Sequence, residues 1–247
     1  MFVSLVKIKK YLIYLFLFLF FNCILTSTLK AENNTTHTVD YGVTVGTLNF
    51  IRGITFSDDG KKMFLPGTSP KNKIVQFNLN PGFDLSTASE SGVEIDKDDR
   101  DQITAPYSIR FNNDGSKMFF VQLGGELVEF SLGTNFDITS ASAEDNTSLT
   151  KAKTLANGNT TGFAFNTDGT KLFTVDNASD EIDQYILTTG FDIDTMSYDQ
   201  SIDISDNTSS PRSLIFSYDG TTMFIIDGLN SIDEYVLTTG YDITTAK

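Results

Sequence analysis

The sequence predicts an all-β fold, a β-propeller, and two observations lead to this prediction. A segment of the form Phe-x-x-Asp-Gly followed by an apolar run occurs in four copies, which begin at Gly53, Ser108, Gly162 and Ser213. The Asp-Gly pairs, at 59–60, 114–115, 168–169 and 219–220, follow one another at spacings of 55, 54 and 51 residues. A period of roughly 40–50 residues with strand-like content is typical of a propeller blade.

Each copy predicts three strands in succession. The first strand ends at a phenylalanine, and the Asp-Gly pair then closes a tight turn, because glycine tolerates a positive φ. The second strand is apolar at consecutive positions, as in Met118-Phe119-Phe120, which indicates that both of its faces are covered. The third strand, such as Ile182–Leu187, alternates more, as expected for a strand nearer the outside of a blade.

An aromatic residue followed by aspartate ends every copy, at Phe83-Asp84, Phe136-Asp137, Phe191-Asp192 and Tyr241-Asp242. We expect the aromatic ring to act as a packing plug and the aspartate to cap its own backbone in an Asx turn. A ring of metal ligands is the alternative. The aspartates recur together with the structural pattern, which favours the structural role.

The two ends of the chain predict how the ring closes. Residues His37–Gly46 alternate like a strand, and they precede Gly53 much as Tyr198–Ser205 precede Ser213. We therefore expect four blades of four antiparallel strands, with the N-terminal strand completing the last blade so that no edge is left unpaired. The alternative is an incomplete part of a larger propeller, or a ring completed by another copy.

Residues 1–31 have the pattern of a signal peptide. Three lysines near the start precede an apolar core from Tyr11 to Thr26, and Ala31 suits a cleavage site. We expect export to the periplasm, or secretion to the surface of a bacterial cell, with residues 32–247 as one propeller domain. An uncleaved anchor is the alternative. Cys23 is the sole cysteine, so the exported domain has no disulfide and no cysteine-based zinc site.

The charge of the chain excludes some classes of partner. The sequence has 18 basic and 32 acidic residues, a net charge of −14. Four basic residues and no acidic ones lie in residues 1–31, so the remainder carries 14 − 32 = −18. Such a charge disfavours nucleic acid and anionic membrane surfaces. We expect membrane contact only through an uncleaved N-terminal segment.

The two repeated segments resemble those of bacterial, mostly exported β-propeller repeat proteins, broadly the YVTN/lactonase-like and WD40-like propellers. The first segment is Phe56–Phe64, Phe111–Phe119, Phe165–Phe173 and Phe216–Phe224; the second is Phe77–Leu85, Phe130–Ile138, Tyr185–Ile193 and Tyr235–Ile243. The resemblance implies blade architecture. Lactonases of this kind have seven blades and a set of His, Glu and Arg residues, whereas His37 is the one histidine here. We assign no catalytic residue.

The arginines suggest a ligand site at the axis. All four, Arg52, Arg100, Arg110 and Arg212, lie on a predicted first strand or in the connection leading into one. First strands line the axis of a propeller, so we predict an anion-binding mouth formed by Arg52, Tyr107, Arg110 and Arg212. In a closed ring Arg52 and Arg212 belong to neighbouring blades. The alternative is intramolecular pairing with loop aspartates such as Asp96, Asp101 and Asp203.

One acidic run is a weak candidate for calcium, and no other cofactor is expected. It contains Asp96, Asp98, Asp99 and Asp101 but lacks the glycine and the distal glutamate of an EF-hand loop. A solvated loop is the favoured interpretation.

The loops that differ most between copies favour a binding function. They lie between the second and third strands and in the connections into first strands, including Glu144–Thr160, and both sets open on one face. We therefore predict an exported binding or interaction module for a protein, peptide, glycan or small anionic ligand, rather than an enzyme. The alternatives are a lactonase-like or metal-assisted hydrolase and a structural piece of a larger cell-surface protein.

Overall fold

The computed structural model describes residues 48, 50–68, 72–96, 103–141, 150–228 and 231–247. They form four antiparallel sheets arranged as a four-bladed β-propeller. The predicted fold class and the predicted number of blades are therefore confirmed. The predicted leader, the predicted closing strand His37–Gly46 and His37 itself lie outside the described residues.

The strands of the first two blades follow the order of the chain. Blade 1 contains β1 (Thr55–Phe56), β2 (Lys62–Gly67), β3 (Lys73–Asn78) and β4 (Ser89–Asp96). Blade 2 contains β5 (Pro106–Phe111), β6 (Lys117–Gln122), β7 (Glu126–Ser131) and β8 (Thr150–Thr154). Strand β8 lies within the segment that the pattern predicts as a loop. That prediction is wrong because β8 has one apolar residue, Ala152, among five and pairs only with β7, so its sequence shows no clear alternation of apolar and polar residues.

The last two blades repeat this arrangement. Blade 3 contains β9 (Thr160–Phe165), β10 (Lys171–Asp176), β11 (Glu181–Leu187) and β12 (Met196–Asp203). Blade 4 has three strands among the described residues: β13 (Pro211–Phe216), β14 (Thr222–Asp227) and β15 (Ser231–Val236). Within the described part of the chain, no helix is long and apolar enough to cross a bilayer.

The aromatic plug and the Asx turn are both confirmed. Gly115 has a φ of 72°, and a Cβ added to it would lie 2.3 Å from the Phe136 ring. The ring therefore packs directly on the glycine, and the other three copies share the arrangement. The Asp137 Oδ1 atom accepts a hydrogen bond from the Thr139 N–H at 3.0 Å and begins a 3₁₀ helix, Ile138–Ser140. The turn needs a glycine, an aromatic residue and an aspartate for these separate reasons.

Apolar junctions hold successive blades together. A second-strand phenylalanine packs on the first-strand phenylalanine of the following blade, with ring centroids 4.6–4.9 Å apart, in the pairs Phe64–Phe111, Phe119–Phe165 and Phe173–Phe216. The interiors of the third strands β3, β7 and β11 are buried as well. The expectation that third strands alternate is wrong for these blades, because apolar packing covers both faces of each sheet.

A lysine also links each of the first three blades to the next. The Nζ atoms of Lys62, Lys117 and Lys171 donate to the main-chain carbonyls of the aromatic plugs Phe136, Phe191 and Tyr241, at 2.9, 2.6 and 2.7 Å. Blade 4 has Thr222 at the same position. The lysine link therefore ends with blade 3.

Blade 4 leaves one sheet face exposed. We call this the free face of blade 4 and define it by Ser213, Ile215, Thr222, Phe224, Ile226, Ile232, Glu234 and Val236, which share one side of the three strands. No hydrogen bond or ring contact between described residues joins blade 4 to blade 1. In blade 1, the first blade along the chain, a buried cluster forms with Leu48 and contains Met63, Leu65, Val75 and Phe77.

Candidate ligand site at the hub

The first strands approach one another closely at the hub. Each copy begins with a glycine or a serine, and the reason is steric. A Cβ on Gly162 would lie 2.7 Å from the Cα of Ser213 in the next blade, and one on Gly53 would lie 3.0 Å from the carbonyl oxygen of Tyr107. These small residues allow neighbouring first strands to come together around the axis.

A hollow of about 330 Å³ opens at the Asp-Gly end of the first strands of blades 2, 3 and 4. We call it the hub pocket. Its apolar lining comes from Phe111, Ala164, Phe165, Phe191, Ile215, Phe216 and Tyr241, and its polar lining comes from Arg110, Asn113, Asn166, Thr167, Ser217 and Tyr218. The pocket thus combines aromatic walls with a single charged side chain.

That charged side chain is Arg110, which lies on β5 and is half-buried. Its Nη1 atom donates to the carbonyl oxygens of Ile109, at 2.9 Å, and Ile54, at 3.5 Å. None of the described carboxylates forms an ion pair with it. Burial lowers the pKa of the Arg110 guanidinium, but arginine remains charged at neutral pH. Of its five N–H groups, the Nε and Nη2 donors form no hydrogen bond with a described residue.

The polar groups around Arg110 are already engaged with one another. The Asn113 side chain donates to the Thr167 carbonyl oxygen at 2.9 Å, and the Thr167 hydroxyl lies 3.0 Å from the Tyr241 hydroxyl. The Tyr241 hydroxyl donates in turn to the Tyr218 carbonyl oxygen at 3.0 Å. These bonds tie the turns of blades 2, 3 and 4 together, so they fix the rim of the pocket.

The other predicted site residues lie elsewhere. The Arg52 guanidinium stacks 4.5 Å from the centroid of the Tyr107 ring, at the opposite end of β5 from Arg110. Tyr107 and Arg110 are three positions apart along the strand, about 10 Å. Arg212 is exposed beside Gly228. The structure thus brings Arg52 and Tyr107 together. Among the described residues, Arg52 does not contact Arg212, and none of the three described arginines forms an ion pair with an aspartate.

The candidate calcium run is only partly within the described residues. Asp96 is buried at the end of β4, and Asp98, Asp99 and Asp101 lie outside the described ranges. No group of three His, Cys, Asp or Glu side chains that could hold a metal ion occurs among the described residues. Asp203 caps its own turn by accepting from the Ser205 N–H at 2.8 Å, and these hydrogen bonds lower its pKa.

A second group of carboxylates lies at the other end of blade 3, near the variable loops. The buried Asp183 carboxylate accepts a hydrogen bond from the Asn157 side chain at 3.0 Å. Burial, together with the nearby charges of Glu181 and Asp176, raises the pKa of Asp183 to about 6. The Tyr185 hydroxyl accepts from the Ala156 N–H at 2.7 Å, and burial raises its pKa to about 12. These contacts attach the loop before β9 to blade 3.

A larger hollow, of about 500 Å³, lies between blades 1 and 2. Its two lysines are already engaged, because Lys62 bonds the Phe136 carbonyl oxygen and Lys61 lies 3.7 Å from the Asp59 carboxylate. The hub pocket is therefore the better candidate for an anion.

Sequence reasoning identified Arg110 but not the residues that surround it. The position before aspartate in Phe-x-x-Asp-Gly is held by Asn113, Thr167 and Tyr218 in blades 2 to 4, and by Asp58 in blade 1. A position that changes its chemistry from copy to copy inside an otherwise repeated turn is the signal that could have revealed them.

Comparisons with known proteins support the propeller fold and do not indicate an activity. No family model matches the chain. No curated protein matches it either. Among solved structures, it is similar to a candidate 6-phosphogluconolactonase from Bacteroides uniformis, with 17% identity and a TM-score of 0.52 over 80% of this chain and 52% of that one. It is also similar to a protein of unknown function from Desulfotomaculum acetoxidans, with 10% identity and a TM-score of 0.50 over 76% and 52%. The chain thus spans about half the length of the solved structures it matches, and the likeness is one of propeller fold.

Proposed function

We propose that this protein is an exported binding module that holds a small carboxylate ligand in the hub pocket, with Arg110 as its anchor. The observation that carries the proposal is the half-buried Arg110 guanidinium, which has unused N–H donors and no carboxylate partner among the described residues. A desolvated charge without a counter-charge costs free energy, and a ligand carboxylate would remove that cost. The planar guanidinium fits two carboxylate oxygens.

The size and the walls of the pocket define the ligand class further. A volume of about 330 Å³ is at the low end for ligand pockets, roughly 300–1,000 Å³, which favours a small molecule over a long glycan. The rings of Phe165, Phe191 and Phe216 favour a flat, apolar body beside the carboxylate. The prediction of export depends on the sequence pattern of residues 1–31. The similarity to solved propellers supports the propeller fold alone.

Benzoate is a suitable probe, because it combines a carboxylate with a flat ring. Titration followed by calorimetry is expected to show benzoate binding, with benzamide, which has the same shape without the charge, at least 10-fold weaker. Arg110→Gln is expected to weaken benzoate binding at least 10-fold, because it removes the charge and keeps much of the side-chain length. Arg212→Gln, an exposed arginine outside the pocket, is the matched control and should bind as the parent does.

Three outcomes would count against the proposal: no benzoate binding at millimolar concentration, equal affinity for benzoate and benzamide, or equal loss in Arg110→Gln and Arg212→Gln. Thermal unfolding of both variants shows whether they remain folded. If Arg110→Gln is unstable, Arg110→Lys, which keeps the charge and loses the bidentate geometry, takes its place and should bind benzoate with intermediate affinity.

A further inference from the structure

The two sides of the hub pocket differ in their chemistry. Blade 2 contributes the Arg110 guanidinium and the Asn113 amide, whereas blade 4 contributes Ile215 and Tyr218. Blade 3 lies between them, since the Thr167 carbonyl oxygen accepts from Asn113 and the Thr167 hydroxyl donates to the Tyr218 carbonyl oxygen at 3.3 Å. A ligand that spans the pocket therefore meets a cation and an amide on one side and an apolar surface on the other.

The Tyr218 side chain is exposed and has no partner in the described part of the chain. Its exposed fraction is 88%, and neither a ring contact nor a hydrogen bond of its hydroxyl group joins it to another described residue. Ile215, which also lines the pocket, is 51% exposed. An aromatic ring has a large apolar surface, so a ligand that covers the Tyr218 ring gains free energy by removing that surface from water.

The backbone of Tyr218 is held in place. Its carbonyl oxygen accepts hydrogen bonds from the Tyr241 hydroxyl, at 3.0 Å, and from the Thr167 hydroxyl, at 3.3 Å. The Asp219 carboxylate that follows accepts from the Ser217 hydroxyl at 2.8 Å. The ring is therefore attached to a fixed turn, and only its side-chain torsions remain to be ordered when a ligand binds. Tyrosine provides a large contact area at low entropic cost for this reason.

The turn itself does not require an aromatic residue at this position. The other three copies have Asp58, Asn113 and Thr167 there, and the glycine two residues further on has a φ between 66° and 72° in all four copies. The same turn thus forms with short polar side chains. The ring of Tyr218 is not needed for the fold of the turn, which leaves it available for contact with a ligand.

We infer that Tyr218 is a specificity-determining residue of the hub pocket, and that its ring packs on the end of the ligand remote from Arg110. The inference rests on the proposed function and narrows its ligand class. The walls around Phe165 and Phe216 enclose one ring beside the carboxylate, and Tyr218 and Ile215 extend the apolar surface to the rim. The ligand is therefore a carboxylate with two apolar rings in a row, longer than benzoate.

The probe is para-phenylbenzoate, because it adds a second ring to benzoate opposite the carboxylate. Calorimetric titration of the full chain should show that it binds about 10-fold more tightly than benzoate, through the apolar area that the second ring covers and its packing on Tyr218. Tyr218→Asn, which gives blade 4 the residue type that blade 2 has, should remove most of this preference and change benzoate affinity less than twofold. Tyr218→Phe should keep the preference, because the ring makes the contact and the hydroxyl group does not.

Tyr198→Asn is the matched control. Tyr198 is also an exposed tyrosine, at 53%, and it lies on β12, outside the pocket. Its replacement should leave the preference for para-phenylbenzoate unchanged. Thermal unfolding of Tyr218→Asn should match that of the parent, because a substitution at an exposed side chain changes stability little.

The possible outcomes separate this inference from the proposed function. If benzoate binds but para-phenylbenzoate binds no more tightly, or if the preference survives in Tyr218→Asn, the inference is wrong and the proposed function stands. An equal loss of affinity for both acids in Tyr218→Asn would also overturn it, because the side chain would then shape the whole pocket. If neither acid binds, the proposed function fails and the inference fails with it.

Discussion

Blades 2 and 4 have almost the same second strand but different surroundings. Met118-Phe119-Phe120 and Met223-Phe224-Ile225 occupy the same place in the repeat. Phe119 has no exposed surface, and its ring meets Phe165 of blade 3 edge-on with centroids 4.9 Å apart. Phe224 is partly exposed beside Ile226, which is half exposed. An apolar strand is thus encoded within one repeat, whereas its burial depends on a second one.

The polar residues of blades 2 and 4 also differ in whether they contact a following blade. In blade 2 the Lys117 ammonium lies 2.8 Å from the buried Glu129 carboxylate and bonds the Phe191 carbonyl oxygen. Glu129 also accepts from the Ile193 N–H of blade 3 at 3.0 Å. Blade 4 has Thr222 and the exposed Glu234 at these positions. Blade 2 uses its lysine and carboxylate as a clamp on blade 3, and the last described blade has no such clamp.

Replacing Phe119 or Phe224 with alanine should show the difference between blades 2 and 4 most clearly. We expect Phe119→Ala to lower the free energy of unfolding by about 3–5 kcal/mol, because it leaves a cavity between two packed sheets. Phe224→Ala should cost about 1 kcal/mol or less, since its side chain is not enclosed. Urea unfolding measures both. Equal losses would mean that the face of blade 4 is as well covered as the junction of blades 2 and 3.

Removing the lysine of the clamp should have the next largest effect. Lys117→Met removes the ammonium that lies 2.8 Å from the Glu129 carboxylate, which is 1% exposed, and we expect a loss of about 3 kcal/mol. Thr222→Met in blade 4 should stay within about 0.5 kcal/mol. Adding Glu129→Met to Lys117→Met should recover part of the loss, because it removes the buried charge that Lys117 balances in the parent. Failure to recover any stability would show that the Phe191 carbonyl bond, not the ion pair, matters.

The smallest expected effect concerns pH and compares Asp183 of blade 3 with Asp233 of blade 4. Because burial and the nearby Glu181 and Asp176 raise the pKa of Asp183 to about 6, the folded protein holds that proton more tightly than the unfolded chain does. The stability from this group is therefore complete below about pH 4 and is lost as the pH rises through about 6. Asp183→Asn should leave stability unchanged at pH 4 and raise it by about 2 kcal/mol at pH 8.

Thermal unfolding across that pH range provides the measurement. Asp233→Asn is the matched control, because Asp233 accepts a hydroxyl hydrogen bond from Thr208 and has Ser231 where blade 3 has Glu181. A gain at pH 8 that is the same at both positions, or a gain at pH 4, would show that the neighbouring carboxylates do not cause the effect at Asp183.

The candidate site was predicted from sequence only in part. Arg110 could be identified because it lies on a first strand, and first strands line the axis. The separation of Arg110 from Arg52 could not be predicted, because it depends on which end of the strand each residue lies near and on which residues it contacts there. Asn113, Thr167 and Tyr218 belong to three turns that are more than 50 residues apart in sequence and meet only at the hub.

The sequence by itself determined the number of blades, the Asp-Gly turns and the aromatic plugs. These features depend on a positive φ, an Asx hydrogen bond and a ring on a glycine, each formed within one repeat. Only the tertiary structure decided that the third strands of blades 1 to 3 are buried on both faces, that a pocket opens around Arg110, and that blade 4 has an exposed face. Those properties arise where two or more sheets meet, and the apolar pattern of one repeat is the same whether or not a neighbour covers it.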